Sequence, residues 1–361
     1  MKVALVHDFL VRLGGAERVL KTLADMFPDA PIYTLAYDEK ACGKNFPASR
    51  VRPSRLQKWQ FSGRRLYRYF FAKMPQIVEE WDFSEFDVVI SSSNSFAHGI
   101  VVPSTTKHIC YCHSPMRYAW DYSHEYLEEQ KFGFFRKILT QWIMKDIRIW
   151  DRLASDRPDI YLANSQHVQK RISKYYRRES RVVYPPVDLS RFSVNRKHED
   201  YFLIVSQLSA YKKIHLAVQL FNKIGRRLIV IGSGPQEQYL KNIAGPKVEI
   251  LGWKSDEETA QYMQYCRAFI FSGEEDFGIT PVEAMACGKP VLAYRKGGVT
   301  ETVLAGVTGE FFDELTVSSM EEGLARLVLH EGKYDAMKIR ERAEEFSEER
   351  FRDTILGILG L

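Results

Sequence analysis

The sequence predicts an α/β protein built as two domains, each around a parallel sheet. Three observations carry this. Short β-branched runs alternate with longer amphipathic stretches, and alternating βα units bury a parallel sheet under helices on both faces. The segment from Pro185 to Asp200 holds two prolines, polar residues and no apolar period, and it divides the chain into halves of similar size. The 361 residues also fit two domains of ~150 residues better than one or four. The expected divisions are 1–186, 187–340 and a last helix over 341–361.

In chain order, Lys2 to Val6 reads as a buried strand, followed by a loop and a helix from about Ala16 to Met26. Phe86 to Ser91, Gly99 to Val102 and His108 to Tyr111 are apolar runs of strand length. Ile160 to Ala163 follows, then a helix near Val168 to Tyr176. Beyond the linker the alternation restarts, with strands at Tyr201–Val205, Arg227–Ile231, Val248–Leu251, Ala268–Phe271 and Pro290–Ala293. Arg340 to Leu361 reads as strongly helical. No period of 20–50 residues repeats, so a solenoid is excluded.

Composition excludes several classes. Hydrophobic residues make up 45% and charged residues 27%, a globular balance rather than a disordered or coiled-coil one. No apolar run approaches the ~18 residues of a membrane-spanning helix. The first ten residues lack the longer apolar centre and small-residue site of a signal peptide. Five scattered cysteines, at 42, 110, 112, 266 and 287, read as reduced thiols rather than a disulfide framework. The net charge of +5 is too mild to argue for nucleic acid.

The strongest motif is Glu275-Asp276-Phe277-Gly278-Ile279-Thr280-Pro281-Val282-Glu283, between a predicted strand and a helix. Gly278 lets the backbone pass close to a ligand. The N–H groups near Gly278, Ile279 and Thr280 would form an anion site at a helix N-terminus. Carboxylates beside such a site accept hydrogen bonds from sugar and ribose hydroxyls. A surface helix with acidic residues at its dipole-positive end would use the same residues. Leu13-Gly14-Gly15-Ala16-Glu17 follows the first strand and could admit a phosphate, or simply form a tight turn. It lacks the GxGxxG spacing of dinucleotide sites. Gly232-Ser233-Gly234-Pro235 resembles half of a phosphate loop without its Lys-Ser/Thr, and proline also suits an ordinary helix start.

Lys212-Lys213 lies beyond a strand end, where two cations could neutralise a diphosphate or merely solvate a helix start. His113, in Cys112-His113-Ser114-Pro115-Met116-Arg117-Tyr118, closes another strand and could meet a reacting sugar or be an ordinary hydrogen-bonded histidine. There is no Asp-x-Asp to hold Mg²⁺ on a diphosphate, no zinc spacing and no Gly-x-Ser-x-Gly elbow, so no metal or other cofactor is expected.

Taken jointly, Gly14-Gly15-Ala16-Glu17, His113, Lys212, Gly232-Ser233-Gly234-Pro235 and Glu275 through Gly288 (EDFGITPVEAMACG) resemble a family-4 retaining glycosyltransferase of the GT-B type. The resemblance spans about residues 1 to 330. The run from His113 to Asp121 is similar to a subgroup that includes mannosyltransferases of bacterial surface-polysaccharide assembly. The resemblance implies two Rossmann-like domains with parallel sheets facing across a cleft, and a nucleotide-sugar donor, GDP-mannose being the best match. Glu283 would bind the ribose and Glu275 the transferred sugar. Lys212, with the backbone at Gly15, Ile279 and Thr280, would hold the diphosphate. Lys254 would contact the base, His113 would face sugar and acceptor, and the final helix would cross back to the first domain. Many members carry Arg five residues before the phosphate Lys; here Gln207 stands there, so either Lys213 or Lys212 compensates or donor binding differs. A non-catalytic sugar-nucleotide binder and a sugar-nucleotide epimerase are the alternatives on this fold.

Residues 52–73 hold seven basic residues and no acidic one, interleaved with Trp59, Phe61, Tyr67, Tyr69, Phe70 and Phe71. Such a segment suits an anionic membrane surface, as a lipid-linked glycan acceptor would require. Aromatics in the core with bases on a solvated helix face would give the same pattern. The expected location is the cytoplasm, at the inner face of the plasma membrane if this segment docks.

Overall fold

A computed structural model describes residues 1–59, 66–121, 123 and 134–361, with the side chains of 59, 66–69 and 134–137 excepted. The chain divides into two compact units, Met1–Tyr184 and Pro185–Leu361.

The first unit contains β1 (Val3–Leu10), β2 (Ile32–Tyr37), β3 (Val51–Pro53), β4 (Val88–Ser93), β5 (Lys107–Cys112), β6 (Ile160–Ala163) and β7 (Arg181–Val182). Among the described residues these form one sheet in the order β3-β2-β1-β4-β5-β6-β7, every pair parallel. The second unit contains β8 (Phe202–Val205), β9 (Leu228–Ile231), β10 (Val248–Gly252), β11 (Ala268–Phe271), β12 (Val291–Tyr294) and β13 (Gly309–Phe312). Their order is β10-β9-β8-β11-β12-β13, again all parallel. The central strands are buried on both faces: Leu5, Val6, Val89, Phe202, Ile270 and Leu292 are all essentially inaccessible. That is why they read as continuous apolar runs rather than alternating ones.

In each sheet the strand order reverses once, between β1 and β4 and between β8 and β11. Loops leaving the carboxyl ends of two such neighbours run in opposite directions and open a crevice, where ligands bind in this class of sheet. The topology thus nominates the ends of β1 and β4 in one unit, and of β8 and β11 in the other.

Three sequence expectations are corrected. Gly99 to Val102 is not a strand. Ala97–Gly99 forms a 3-10 turn instead. The Asp8 carboxylate nucleates it, accepting the backbone N–H groups of Asn94, Ser95, Phe96 and Ala97 at 2.6–2.9 Å. The C-terminal run is two helices, Ala336–Glu344 and Glu348–Leu359. The break serves packing: Phe346 rests against Phe277, its carbonyl accepts the Val187 N–H, and the Ser347 hydroxyl caps the second helix. Strands β2, β3, β7 and β13 were not foreseen. β3 and β7 are too short for a periodic signal, and β13 opens on glycine and contains Glu310.

Two buried histidines tie stability to pH. Burial holds His98 down to about 4 and His108 down to about 3. Unfolded, each would protonate near 6.5. Their stabilisation is therefore complete above that value and is lost as pH falls toward 4. Burial raises the neighbouring Asp151 carboxyl to about 7, and its opposite penalty is relieved over the same acid range, offsetting part of the loss. The histidines dominate because there are two of them. Melting temperature is expected to fall from pH 6.5 to 4.5, and His108→Gln should flatten that slope. Equal slopes in both proteins would count against the assignment.

Candidate functional site

In the second unit the two loops at the sheet reversal are locked together. After β8 the chain makes a 3-10 turn over Ala210–Lys212. After β11 it runs through Ser272 and Gly273, and the Ser272 hydroxyl donates to the Lys212 carbonyl at 2.8 Å. Gly273 permits this approach, since a Cβ there would lie 2.8 Å from the Lys212 Cα. On this base the Lys212 Nζ forms an ion pair with Glu275. Lys212 is mostly buried, which works against its charge, but the Glu275 carboxylate outweighs this and its pKa is raised. From the other side, the Gly298 N–H donates to the Glu275 carbonyl at 2.9 Å and Gly297 bridges the same residue.

Gly278 then turns the chain with φ +87°, a conformation that disfavours any side chain, and starts the helix Ile279–Ala286. Its N-cap residue, Gly278, has no side chain with which to cap it. The N–H groups of Ile279 and Thr280 therefore stand at its dipole-positive end beside a lysine loop, as an anion site requires. Glu283 follows on the same short helix and is buried.

The structure thus brings Lys212, Glu275, Gly278, Ile279, Thr280 and Glu283 together at the β8/β11 reversal. Lys213 adopts a left-handed backbone that opens the next helix; the pairing with Glu275 is made by Lys212. Gln207 is exposed nearby. Lys254 follows the edge strand β10, two strands from β8, where it pairs with Glu258 at 3.1 Å. Gly232-Ser233-Gly234-Pro235 packs against the chain after β8, the Leu208 N–H donating to the Ser233 carbonyl.

In the first unit the Gly14–Gly15 turn follows β1 and opens the helix Gly15–Met26. The Gly14 N–H donates to a Glu17 carboxylate oxygen at 2.8 Å. His113 follows β5 and is 7% exposed. Its Nε2 lies 2.8 Å from the Ser92 hydroxyl on β4, and the Asn164 amide donates to its carbonyl. The motif downstream of it is largely structural: the Trp120 indole donates to Asp151, and Asp121 pairs with Arg171 at 2.5 Å. Sequence reading missed His7, Asp8 and Ser92 as members of this region. The signal available was a His-Asp pair ending a buried strand.

Of the basic, aromatic segment 52–73, residues 60–65, including Phe61, Arg64 and Arg65, lie outside the described residues, as do the side chains of Trp59, Tyr67, Arg68 and Tyr69. Phe70 and Phe71 pack against the core rather than face outward, Phe71 meeting Phe96 and Tyr118 at 5.3 Å. Arg55 pairs with Glu80. A different element presents apolar surface: on the helix Phe134–Ala154, Leu139, Trp142, Ile149 and Leu153 are each more than half exposed. Among the described residues, no helix is long and apolar enough to cross a membrane.

Comparison with known proteins covers nearly the whole chain. The profile of glycosyltransferase family 4 matches residues 13–191, and that of the group 1 glycosyl transferases matches residues 187–346. An uncharacterized glycosyltransferase of Methanocaldococcus jannaschii is 25% identical over 217 residues, covering 58% of this chain and 61% of that protein. The chain thus spans less than two thirds of that relative. The human alpha-1,3/1,6-mannosyltransferase ALG2 is 24% identical over 95% of this chain and 92% of its own. Among solved structures, Anabaena HepE in complex with UDP superposes with a TM-score of 0.68 at 18% identity, covering all of both chains. Two parallel sheets, each with its loops gathered at a strand reversal, and two adjoining family matches agree: the chain belongs to the family-4, group 1 glycosyltransferases of GT-B fold.

Proposed function

We propose that this protein is a retaining hexosyltransferase that moves mannose from GDP-mannose to a hydroxyl of a glycan or lipid-linked glycan, without a metal ion. The observation that carries the reading is the Lys212–Glu275 pair beside the helix that starts at Gly278. Breaking a sugar–diphosphate bond builds positive charge on the anomeric carbon and negative charge on the leaving phosphate. Lys212 and the N–H groups of Ile279 and Thr280 would stabilise the growing negative charge, with Gly15 contributing its backbone. Glu275 would accept hydroxyls of the transferred sugar, Glu283 those of the ribose, and His113 would meet the sugar and acceptor. Lys254, about 10 Å from β8 by strand spacing, suits a base at the far end of the nucleotide. Retention follows if the acceptor hydroxyl attacks the face from which the diphosphate leaves, the phosphate taking its proton. The mannose assignment draws on the subgroup resemblance and on the mannosyltransferase name of the human relative.

A thermal-shift panel of GDP-mannose, UDP-glucose and ADP-glucose tests the donor, since a bound ligand raises the melting temperature by mass action. GDP-mannose should give the largest shift, and a larger one with UDP-glucose would reassign the base. Transfer should persist in excess EDTA; full loss of rate restored by Mg²⁺ or Mn²⁺ would contradict the metal-free reading.

The reading also includes docking to an anionic membrane through residues 52–73. The exposed apolar face of the helix Phe134–Ala154 supports a surface-bound protein. Binding to anionic liposomes should fall as salt rises. Arg64, Arg65 and Arg68 changed together to Glu should abolish it while nucleotide affinity stays intact. Indifference of the wild type to liposomes at low salt would favour a soluble acceptor.

A further inference from the structure

We propose that Ser92, His7 and Glu17 are positioning residues that hold His113 as a neutral imidazole with its proton on Nδ1, so that it donates a hydrogen bond to substrate rather than accepting a proton at Nε2. This rests on the assignment of His113 to the transferred sugar and gives that residue its chemical role.

The residues come from adjacent strands of one sheet. His7 on β1 stands opposite Ser92 on β4, and His113 leaves the end of β5 beside it. The His7 Nδ1 lies 3.0 Å from the Ser92 carbonyl oxygen, which can only accept. That nitrogen therefore carries a proton. It also lies 3.1 Å from the Ser92 hydroxyl oxygen, which accepts from the same N–H and cannot aim its own proton back at it. The hydroxyl proton is then directed to its other ring neighbour, the His113 Nε2 at 2.8 Å. A ring nitrogen that accepts a hydrogen bond holds no proton, so the neutral ring carries it on Nδ1.

Glu17 fixes the far end. One carboxylate oxygen accepts the Gly14 N–H at 2.8 Å, and the other lies 3.7 Å from the His7 Nε2. Burial works to raise the Glu17 pKa, but the contacts with His7 outweigh it and the group is held below the usual carboxylate range. A carboxylate on one side of His7 and a carbonyl on the other leave that ring one orientation. Ser92 is fully buried and His7 nearly so, which keeps bulk solvent from these contacts. The same carboxylate thus anchors the Gly14–Gly15 turn and, through two side chains, the tautomer of His113.

His113→Ala decides first whether the imidazole matters; wild-type turnover in that variant removes the site assignment and this proposal with it. If turnover falls, Ser92→Ala should lower kcat by about ten- to a hundredfold, with donor KM, nucleotide affinity and melting temperature near wild type. In the His113→Ala background the same change should cost nothing more. An equal loss in both backgrounds, or an effect on KM alone, would overturn the proposal. His7→Asn keeps a donor near the Nδ1 position and should retain more turnover than His7→Leu; equal losses would count against it. Nitrogen-15 spectra of the histidine-labelled protein, with His113→Ala for assignment, read the tautomer in the unmutated chain. Protonation of His113 at Nδ1 with a bare Nε2 is expected, and the reverse would overturn the proposal whatever the Ser92 and His7 variants do.

Discussion

Lys212→Ala is expected to lower kcat by roughly a hundred- to a thousandfold, the range seen when one pre-organised group is removed from a developing anion. The lysine is rigidly placed, because its carbonyl is tied to Ser272 and its ammonium to Glu275. On the proposed reading, the charge it would offer to the leaving diphosphate is therefore oriented before the donor arrives. The same substitution leaves the Glu275 carboxylate, only about a quarter exposed, without its cation. A loss of stability of about 1–3 kcal/mol should accompany the kinetic effect. Lys212→Met combined with Glu275→Gln removes both charges and should recover most of the melting temperature while turnover stays low. Near wild-type turnover in Lys212→Ala would show that the diphosphate is stabilised elsewhere, with Lys213 the next residue to test.

Glu283→Ala and Glu275→Ala are expected to divide between binding and turnover. On the proposed reading Glu283 would hold the ribose alike in the ground and transition states, so loss of its carboxylate should raise donor KM with a smaller change in kcat. Glu275 would contact the sugar whose anomeric carbon gains charge, so its loss should fall chiefly on kcat. Because Glu275 also balances Lys212, its alanine variant should lose stability without donor and recover part of it when donor is present. Wild-type kinetics in both variants would sink the site assignment. A KM effect in Glu275→Ala with kcat unchanged would make that residue a binding group only.

Much of this was legible in the chain. Ile160–Ala163 and Ala268–Phe271 form strands over the residues the apolar runs marked, because a strand buried on both faces must be apolar throughout. Gly278 was legible because a positive φ leaves few residues to choose from. Other features left little local trace. β7 has two residues, and its place depends on parallel pairing with β6 rather than on its own propensity. Gly99 to Val102 reads as a strand from sequence because what fixes the turn running into it, Asp8, is 89 positions from the Ala97 N–H it accepts.

The sequence by itself determined the class of fold, the two-domain organisation, and the Glu275–Glu283 and Lys212 motifs as the candidate donor site. These are local properties: hydrophobic period, glycine placement and charges spaced along one loop and one helix turn. Only the tertiary structure decided which charges meet. It paired Lys212 rather than Lys213 with Glu275, put Lys254 two strands away, and linked His7, Ser92 and Glu17 to His113. The physical reason is that parallel strands adjacent in a sheet can be distant in sequence. Residues 7, 92 and 113 become neighbours through strand order and register, and neither is written in the pattern of any single segment.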